Sequence, residues 1–210
     1  MGNPIKHKLL AGALCLDFMN TINGHHSNPS NEYLNNYNDL ILWACHAGLF
    51  DKKDTDLLFQ QSNRHPKNSK HIFHLAIELR EMLFTIFSDF YSQKSASKTA
   101  IQFLTDIHHK NILNSNLVKK SDRFKWEWKF NINMEMVLWP ITLSATKLLT
   151  SENLKWVREC SGLDCDWYFL DTSRNHQRRW CSMEDCGNRH KMKQRYIRRK
   201  KSLQQTKIKK

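Results

Sequence analysis

Four cysteines near the C-terminus share one spacing: Cys160 and Cys165, then Cys181 and Cys186, in the order C-x4-C-x15-C-x4-C. Two close pairs separated by a gap that lets the chain run out and back can converge on one point. Thiolates suit a borderline-soft divalent ion that wants four ligands in a tetrahedron, so the pattern predicts one zinc ion. Two disulfides, four unpaired core thiols and a redox dithiol are the alternatives. A redox pair more often shows C-x-x-C, and core thiols rarely stand as two even pairs amid Arg, Asp and Lys. A metal with four thiolates has no position left for water, which predicts a structural ion. The arms of the x15 gap are expected to be "WYFLD" and "QRRWC" around the turn "TSRNH", forming a hairpin. This segment holds few large apolar groups, chiefly Trp156, Trp167, Phe169, Leu170 and Trp180, so it needs such a staple. Zinc binding at sites of this kind is worth roughly 10–16 kcal/mol in peptides.

Charge is concentrated where the cysteines end. From Arg174 to the C-terminus there are 14 Lys/Arg and 2 Asp/Glu, while the preceding 173 residues hold 19 and 18. A nearly neutral body with a cationic end points to a polyanion, nucleic acid before an anionic membrane. A solvated tail without a fixed partner is the plain alternative. "GNRHKMKQRYIRRKK" after Cys186 reads as a helix, with Met192, Tyr196 and Leu203 as a narrow stripe packing on the finger. The candidate nucleic-acid contacts are Arg174, Arg178, Arg179, Asn188, Arg189, Lys191, Lys193, Arg195, Arg198 and Arg199. Arg can pair bidentately with guanine edges, and Lys with phosphates.

The rest of the chain is predicted to be mainly helical with a few strands, an α+β body. "YNDLILWACHAGLF", "KDTDLLFQQSN", "SKHIFHLAIELREMLFTIFSDFY", "SKTAIQFLTDIHHKNIL" and "VLWPITLSATKLLTS" carry helical patterns. In the third, Ile72, Leu75, Leu79, Met82, Ile86 and Phe90 form the stripe. "ENLKWVREC" is expected to continue helically. "GALCLDFMNT" alternates like a strand, Leu14, Leu16 and Phe18 against Cys15, Asp17 and Met19. "FKWEWKFNIN" alternates as a half-buried strand with Phe124, Trp126, Trp128, Phe130 and Ile132 on one face. The boundaries drawn are residues 1–150, 151–202 for the finger with its basic helix, and 203–210 for a basic tail.

No apolar run reaches the roughly 20 residues of a membrane helix. "KHKLLAGALC" is short and followed at once by Asp17, so it reads as fold, not signal peptide, and a cytoplasmic protein with reduced thiols is expected. Cys15 and Cys45 read as buried core. The pairs His25, His26 and His108, His109 make poor chelates, because adjacent side chains diverge. No phosphate loop, nucleophile elbow or HExxH is present, so no enzyme is expected. Asp17, Asn20 and Thr21 are polar groups on an apolar segment, either structural or a ligand site.

"DTSRNHQRRWCSMEDCGNRHK" closely resembles the CGNR zinc finger, named for the tetrad present here as Cys186, Gly187, Asn188 and Arg189. Asp171, Ser173, Arg174, Asn175, Arg179, Trp180 and Lys191 also fall where that pattern wants them. "LCLDFMNT", with the "VLWP" to "LLTS" helix, resembles the ABATE domain that precedes this finger. The resemblance covers nearly the whole chain. It implies a bacterial, stress-linked transcription regulator; the metal-anchored cationic helix fits a groove of duplex DNA, and the larger domain of such a regulator is expected to sense a small-molecule effector or form a homodimer. The basic run down to "KIKK" is longer than that pattern. An RNA-binding or RNA-modifying protein is the alternative, favoured if the finger exposes an aromatic platform. The finger's aromatics read as core, yet Trp167 and Tyr168 cannot both face inward on one strand, so one of them is expected to be exposed.

Overall fold

The computed structural model of the chain describes residues 3–23, 31–128, 133–162 and 165–208. Its element order is α1 (Leu14–Met19), β1 (Ile22–Asn23), β2 (Asn31–Glu32), α2 (Tyr37–His46), α3 (Lys52–Arg64), α4 (Pro66–Tyr91) and α5 (Lys98–Leu113). There follow β3 (Ser115–Lys120), β4 (Arg123–Trp128), α6 (Leu138–Leu149), β5 (Val157–Glu159), β6 (Tyr168–Leu170) and α7 (Asn188–Ile208). The strands make three separate antiparallel pairs, β1–β2, β3–β4 and β5–β6. The chain is α+β, as its patterning predicts. Among the described residues no helix is long and apolar enough to cross a membrane.

Helix starts follow local chemistry. Asn36, Asp51 and Ser97 cap α2, α3 and α5 by accepting from Asp39, Asp54 and Ala100 N–H. Pro66 opens α4, where its missing N–H leaves no bond unmade. The stripe of α4 is rotated from the expected one. Ile72, Leu79 and Ile86 are buried as expected and Ala76, Leu83 and Phe87 join them, while Leu75 and Met82 are half-buried and Phe90 is exposed. A helix 26 residues long drifts across its partners, so its two ends cannot present one straight stripe to the same core.

The segment Gly12–Thr21, expected as a strand, is built on the helix α1. Cys15, Leu16, Asp17, Phe18 and Met19 are all buried. With both sides enclosed, alternation between Leu and its neighbours carried no information about period. α1 is the centre of the body. It packs on α4, α6 and β6, Phe18 meets Trp43 of α2 at 5.3 Å, and Cys15 N–H donates to Ser144 Oγ at 3.1 Å. Cys15 is fully buried as expected, whereas Cys45 is half-buried. A bidentate ion pair braces one side: Arg80, 3% exposed, donates to both Glu32 oxygens at 2.7 Å.

Two further expectations change. Residues 152–156 form a 3-10 turn and the chain then enters β5, so "ENLKWVREC" does not continue helically. The backbone of β6 needs a strand partner, and Val157–Glu159 supplies it. β4 pairs with β3 over Arg123–Trp128, yet its apolar face is open: Phe124 is 65% and Trp126 41% exposed. Phe130 and Ile132 lie outside the described residues, as do His25 and His26. His108 and His109 sit half-buried and exposed on α5.

Candidate metal centre and basic helix

The expected hairpin across the x15 gap is replaced by one across the first x4 loop. β5 and β6 pair as Val157 with Leu170, Arg158 with Phe169 and Glu159 with Tyr168. Cys160 follows β5, and Cys165 stands shortly before β6. The "QRRWC" segment is no strand, but two bonds lay it alongside: Ser161 N–H to Arg179 O at 2.8 Å and Cys181 N–H to Cys160 Sγ at 3.3 Å. A π-turn, Met183–Gly187, follows Cys181 and contains Cys186; it is entered through Ser182, whose hydroxyl caps Asp185 N–H. α7 starts directly after it.

The four sulfurs lie within 4.8 Å of one another. Cys165 and Cys181 Sγ are 3.7 Å apart, and Cys181 and Cys186 Sγ 3.6 Å. Four Zn–S bonds of about 2.3 Å in a tetrahedron place sulfurs about 3.8 Å apart. These separations fit that figure, and no disulfide joins the cysteines. Without a cation the thiols compete. Hydrogen bonds among them draw Cys160 and Cys186 below the ordinary thiol range and push Cys165 and Cys181 above it. A divalent ion removes this conflict by holding all four as thiolates. N–H donors already face two sulfurs: Cys181 N–H reaches Cys160 Sγ, and Arg189 Nη2 reaches Cys186 Sγ at 3.0 Å. Gly162 is required by space: a Cβ there would stand 3.0 Å from Cys186 Sγ and 3.1 Å from Cys165 Cβ. Cys160, Cys165, Cys181 and Cys186 fit one zinc ion as a complete tetrahedral set of four thiolates, and an ion so held fixes the chain.

The finger is locked to the body. Asn20 acts as a backbone mimic: its Nδ2 donates to Tyr168 O at 2.8 Å, and its Oδ1 accepts from Tyr168 N–H at 3.1 Å. Leu170 N–H donates to Ala11 O at 2.7 Å, and Trp167 Nε1 to Ile22 O at 3.1 Å. Gly12 adopts a φ of +76°, and a Cβ there would press on Leu170 O. Tyr168 is fully buried, edge-on to Phe84 and Tyr91 of α4 at 5.8 and 5.9 Å. Both Trp167 and Tyr168 are therefore inside. Trp167 precedes the strand, so alternation does not bind it, and neither ring is the expected exposed one.

The three polar residues of the α1 region are brought together, and each is committed internally. Asp17 Oδ1 accepts from Ala11 N–H at 2.9 Å. Thr21 donates to Phe18 O at 2.7 Å and accepts from Arg80 at 3.3 Å. Asn20 O accepts from His7 Nε2 at 3.0 Å. The Trp43 indole donates to His7 Nδ1 at 3.3 Å, which makes His7 the neutral Nε2–H tautomer. Burial lowers His7 to about 4 and raises Asp17 to about 6. The two act oppositely on stability. The contribution of neutral His7 is present above its unfolded value and is lost as pH falls through 4. Protonated Asp17 favours the fold at low pH, and that share is lost as pH rises through 6. Asp17→Asn removes only the second dependence. Urea unfolding of variant and parent is expected to show their stability difference moving in the variant's favour by about 1.4 kcal/mol between pH 5 and pH 7.5.

The basic residues divide by role. Asn188, Arg189 and every residue from Lys191 to Lys200 are exposed on α7. Met192 and Tyr196 are 69% and 67% exposed, so the expected stripe does not pack on the finger; the side chain of Leu203 lies outside the described residues. The finger docks through β6 instead, and among the described residues no neighbour buries that stripe of α7. Arg174 and Arg179 are exposed near the turn that Asp171 builds by accepting from Ser173 and Arg178 N–H. The Arg178 guanidinium faces inward. It donates to Trp180 O, Cys181 O and Leu10 O and lies 4.4 Å over the Phe169 ring. Two features had no signal in the sequence. Lys8 pairs with Asp185 at 2.7 Å across 177 positions. Trp156 stacks on His176 at 3.7 Å and 7°, with Lys155 and Arg158 over the indole.

A metal-anchored module carrying an exposed cationic helix on a helical body defines the class as a zinc-finger protein. The family model of the CGNR zinc finger matches residues 156–199. The ABATE model, described as "Putative stress-induced transcription regulator", matches residues 12–152. The chain belongs to the ABATE family and ends in a CGNR zinc finger. A search of curated proteins finds no match to it.

Proposed function

We propose that the protein is a sequence-specific regulator of transcription that binds duplex DNA through α7. Residues 1–150 serve as its platform, residues 151–202 as the nucleic-acid module and residues 203–210 as a basic extension. The observation that carries this reading is the distribution of charge on α7. At 100° per residue, Arg189, Lys193 and Lys200 fall within about 40° of one another, while Lys191, Arg195 and Arg198 lie on the opposite side. A helix seated in the major groove meets a phosphate wall on each side, and two opposed cationic stripes answer that geometry. No acidic residue follows Asp185 to oppose them.

The experiment is anisotropy of metal-loaded protein on duplex pools and on hairpin RNA, at several salt concentrations. Binding to duplex with selectable sequence preference supports the reading. Lys193→Ala is expected to weaken binding across all sequences and to reduce the salt slope by about 1. Arg189→Ala is expected to cost more, because its guanidinium also donates to a zinc ligand.

The RNA-binding alternative keeps one support. The Trp156–His176 stack is half-buried rather than enclosed and is flanked by two cations, as a base-stacking platform would be. Preference for hairpin RNA, lost in Trp156→Ala, would select it.

A further inference from the structure

The β3–β4 ribbon projects an apolar face that the body does not cover. Residues directly opposite in the register share a face: Leu117 with Trp126, Lys119 with Phe124, Ser115 with Trp128. On it Leu117, Phe124 and Trp126 are 54%, 65% and 41% exposed. At the base of the ribbon, Trp126 and Trp128 border a groove of about 420 Å³ completed by Phe50, Met136, Trp139 and Pro140. The indole N–H groups of Trp128 and Trp139 are buried there without a partner among the described residues.

The strand edges differ in charge. β3 ends in Lys119 and Lys120 with no acid, a pattern that resists edge pairing. β4 reads Arg-Phe-Lys-Trp-Glu-Trp, with both signs on one side. Such a strand is complementary to itself when antiparallel. With a two-fold axis at Trp126, Lys125 faces the partner's Glu127, and Glu127 faces the partner's Lys125. Glu127 also meets Lys120 within its own ribbon, and a carboxylate has two oxygens with which to serve both cations. With the axis at Lys125, Arg123 would face the partner's Glu127, but two lysines meet at the centre, which is unfavourable, and Phe124 faces Trp126 instead of the groove at Trp128. The Trp126-centred register also sets Phe124 opposite the partner's Trp128, at the mouth of the partner's groove.

We infer that the protein forms a two-fold dimer in which β4 pairs with β4 of a second copy and each Phe124 enters the other's Trp128–Trp139 groove. The contact is isologous, so one strand supplies both halves of every pair. It joins the two ribbons into a four-stranded sheet and buries each Phe124 in the partner's groove. Nothing in it depends on the nucleic acid that α7 binds.

The test is sedimentation of the full-length, metal-loaded protein over a concentration series. The parent is expected to sediment as a dimer. Glu127→Lys replaces each attractive pair by two opposed lysine side chains, at both symmetric contacts, and is expected to weaken the dimer about tenfold or more. Adding Lys125→Glu exchanges the charges, and the double variant is expected to recover dimerisation. Phe124→Asp is expected to give monomer with unchanged helical circular dichroism and zinc content. A parent that stays monomeric at about 100 µM, a range in which specific interfaces are populated, overturns the inference. So does a dimer indifferent to Glu127→Lys and Phe124→Asp, or a double variant no better than the single one.

Discussion

Cys186→Ser is expected to abolish stoichiometric zinc binding and to reduce duplex affinity to the non-specific level, a loss of about 10³-fold or more. Cys186 links the metal site to α7. Its sulfur stands 3.6 Å from that of Cys181, accepts from Arg189, and lies under Gly162. It is also the last residue but one before α7 begins. Replacing thiolate by hydroxyl removes a soft anionic ligand and leaves three thiols, one short of the tetrahedral set. The energy of metal binding is then unavailable to order the π-turn, and α7 loses its fixed direction. The body should survive, because Tyr168 is held by Asn20 and by the rings of α4 rather than by the metal. Elemental analysis, anisotropy on duplex and circular dichroism together check the three parts. Full duplex affinity in metal-free protein would contradict the second and central part.

Tyr168→Ala is expected to cost about 3–5 kcal/mol of stability, the range for truncating a buried aromatic residue. The ring is fully buried and meets two aromatic rings edge-on, and its hydroxyl donates to Glu159 at 3.2 Å. The position belongs to the finger by sequence and to the body by packing. Urea unfolding followed by a body signal and by metal release should therefore shift together. A finger that unfolds at lower urea while the body midpoint stays unchanged would show that the two halves are not coupled through this side chain.

Some of this was legible without coordinates. The four ligands follow from spacing alone, since loops of fixed length between cysteines constrain where sulfurs can go whatever surrounds them. The long helices follow from period and caps, both local. The exposed cationic helix after Cys186 follows from the absence of Pro and acid. The failures share one cause. For α1, for the strand that follows Trp156 and for the faces of β4 and α7, the sequence shows which residues are apolar but not which neighbours will enclose them.

What the sequence by itself determined is the chemistry: four thiolates for one ion, and a block of positive charge beginning where the last ligand ends. What only the tertiary structure decided is the attachment. Asn20 reads the backbone of Tyr168, Arg178 turns inward to the carbonyls of Leu10, Trp180 and Cys181, and Lys8 reaches Asp185. Those contacts join positions up to 177 apart. They depend on directed hydrogen bonds between groups that local spacing does not correlate, so no periodicity along the chain announces them.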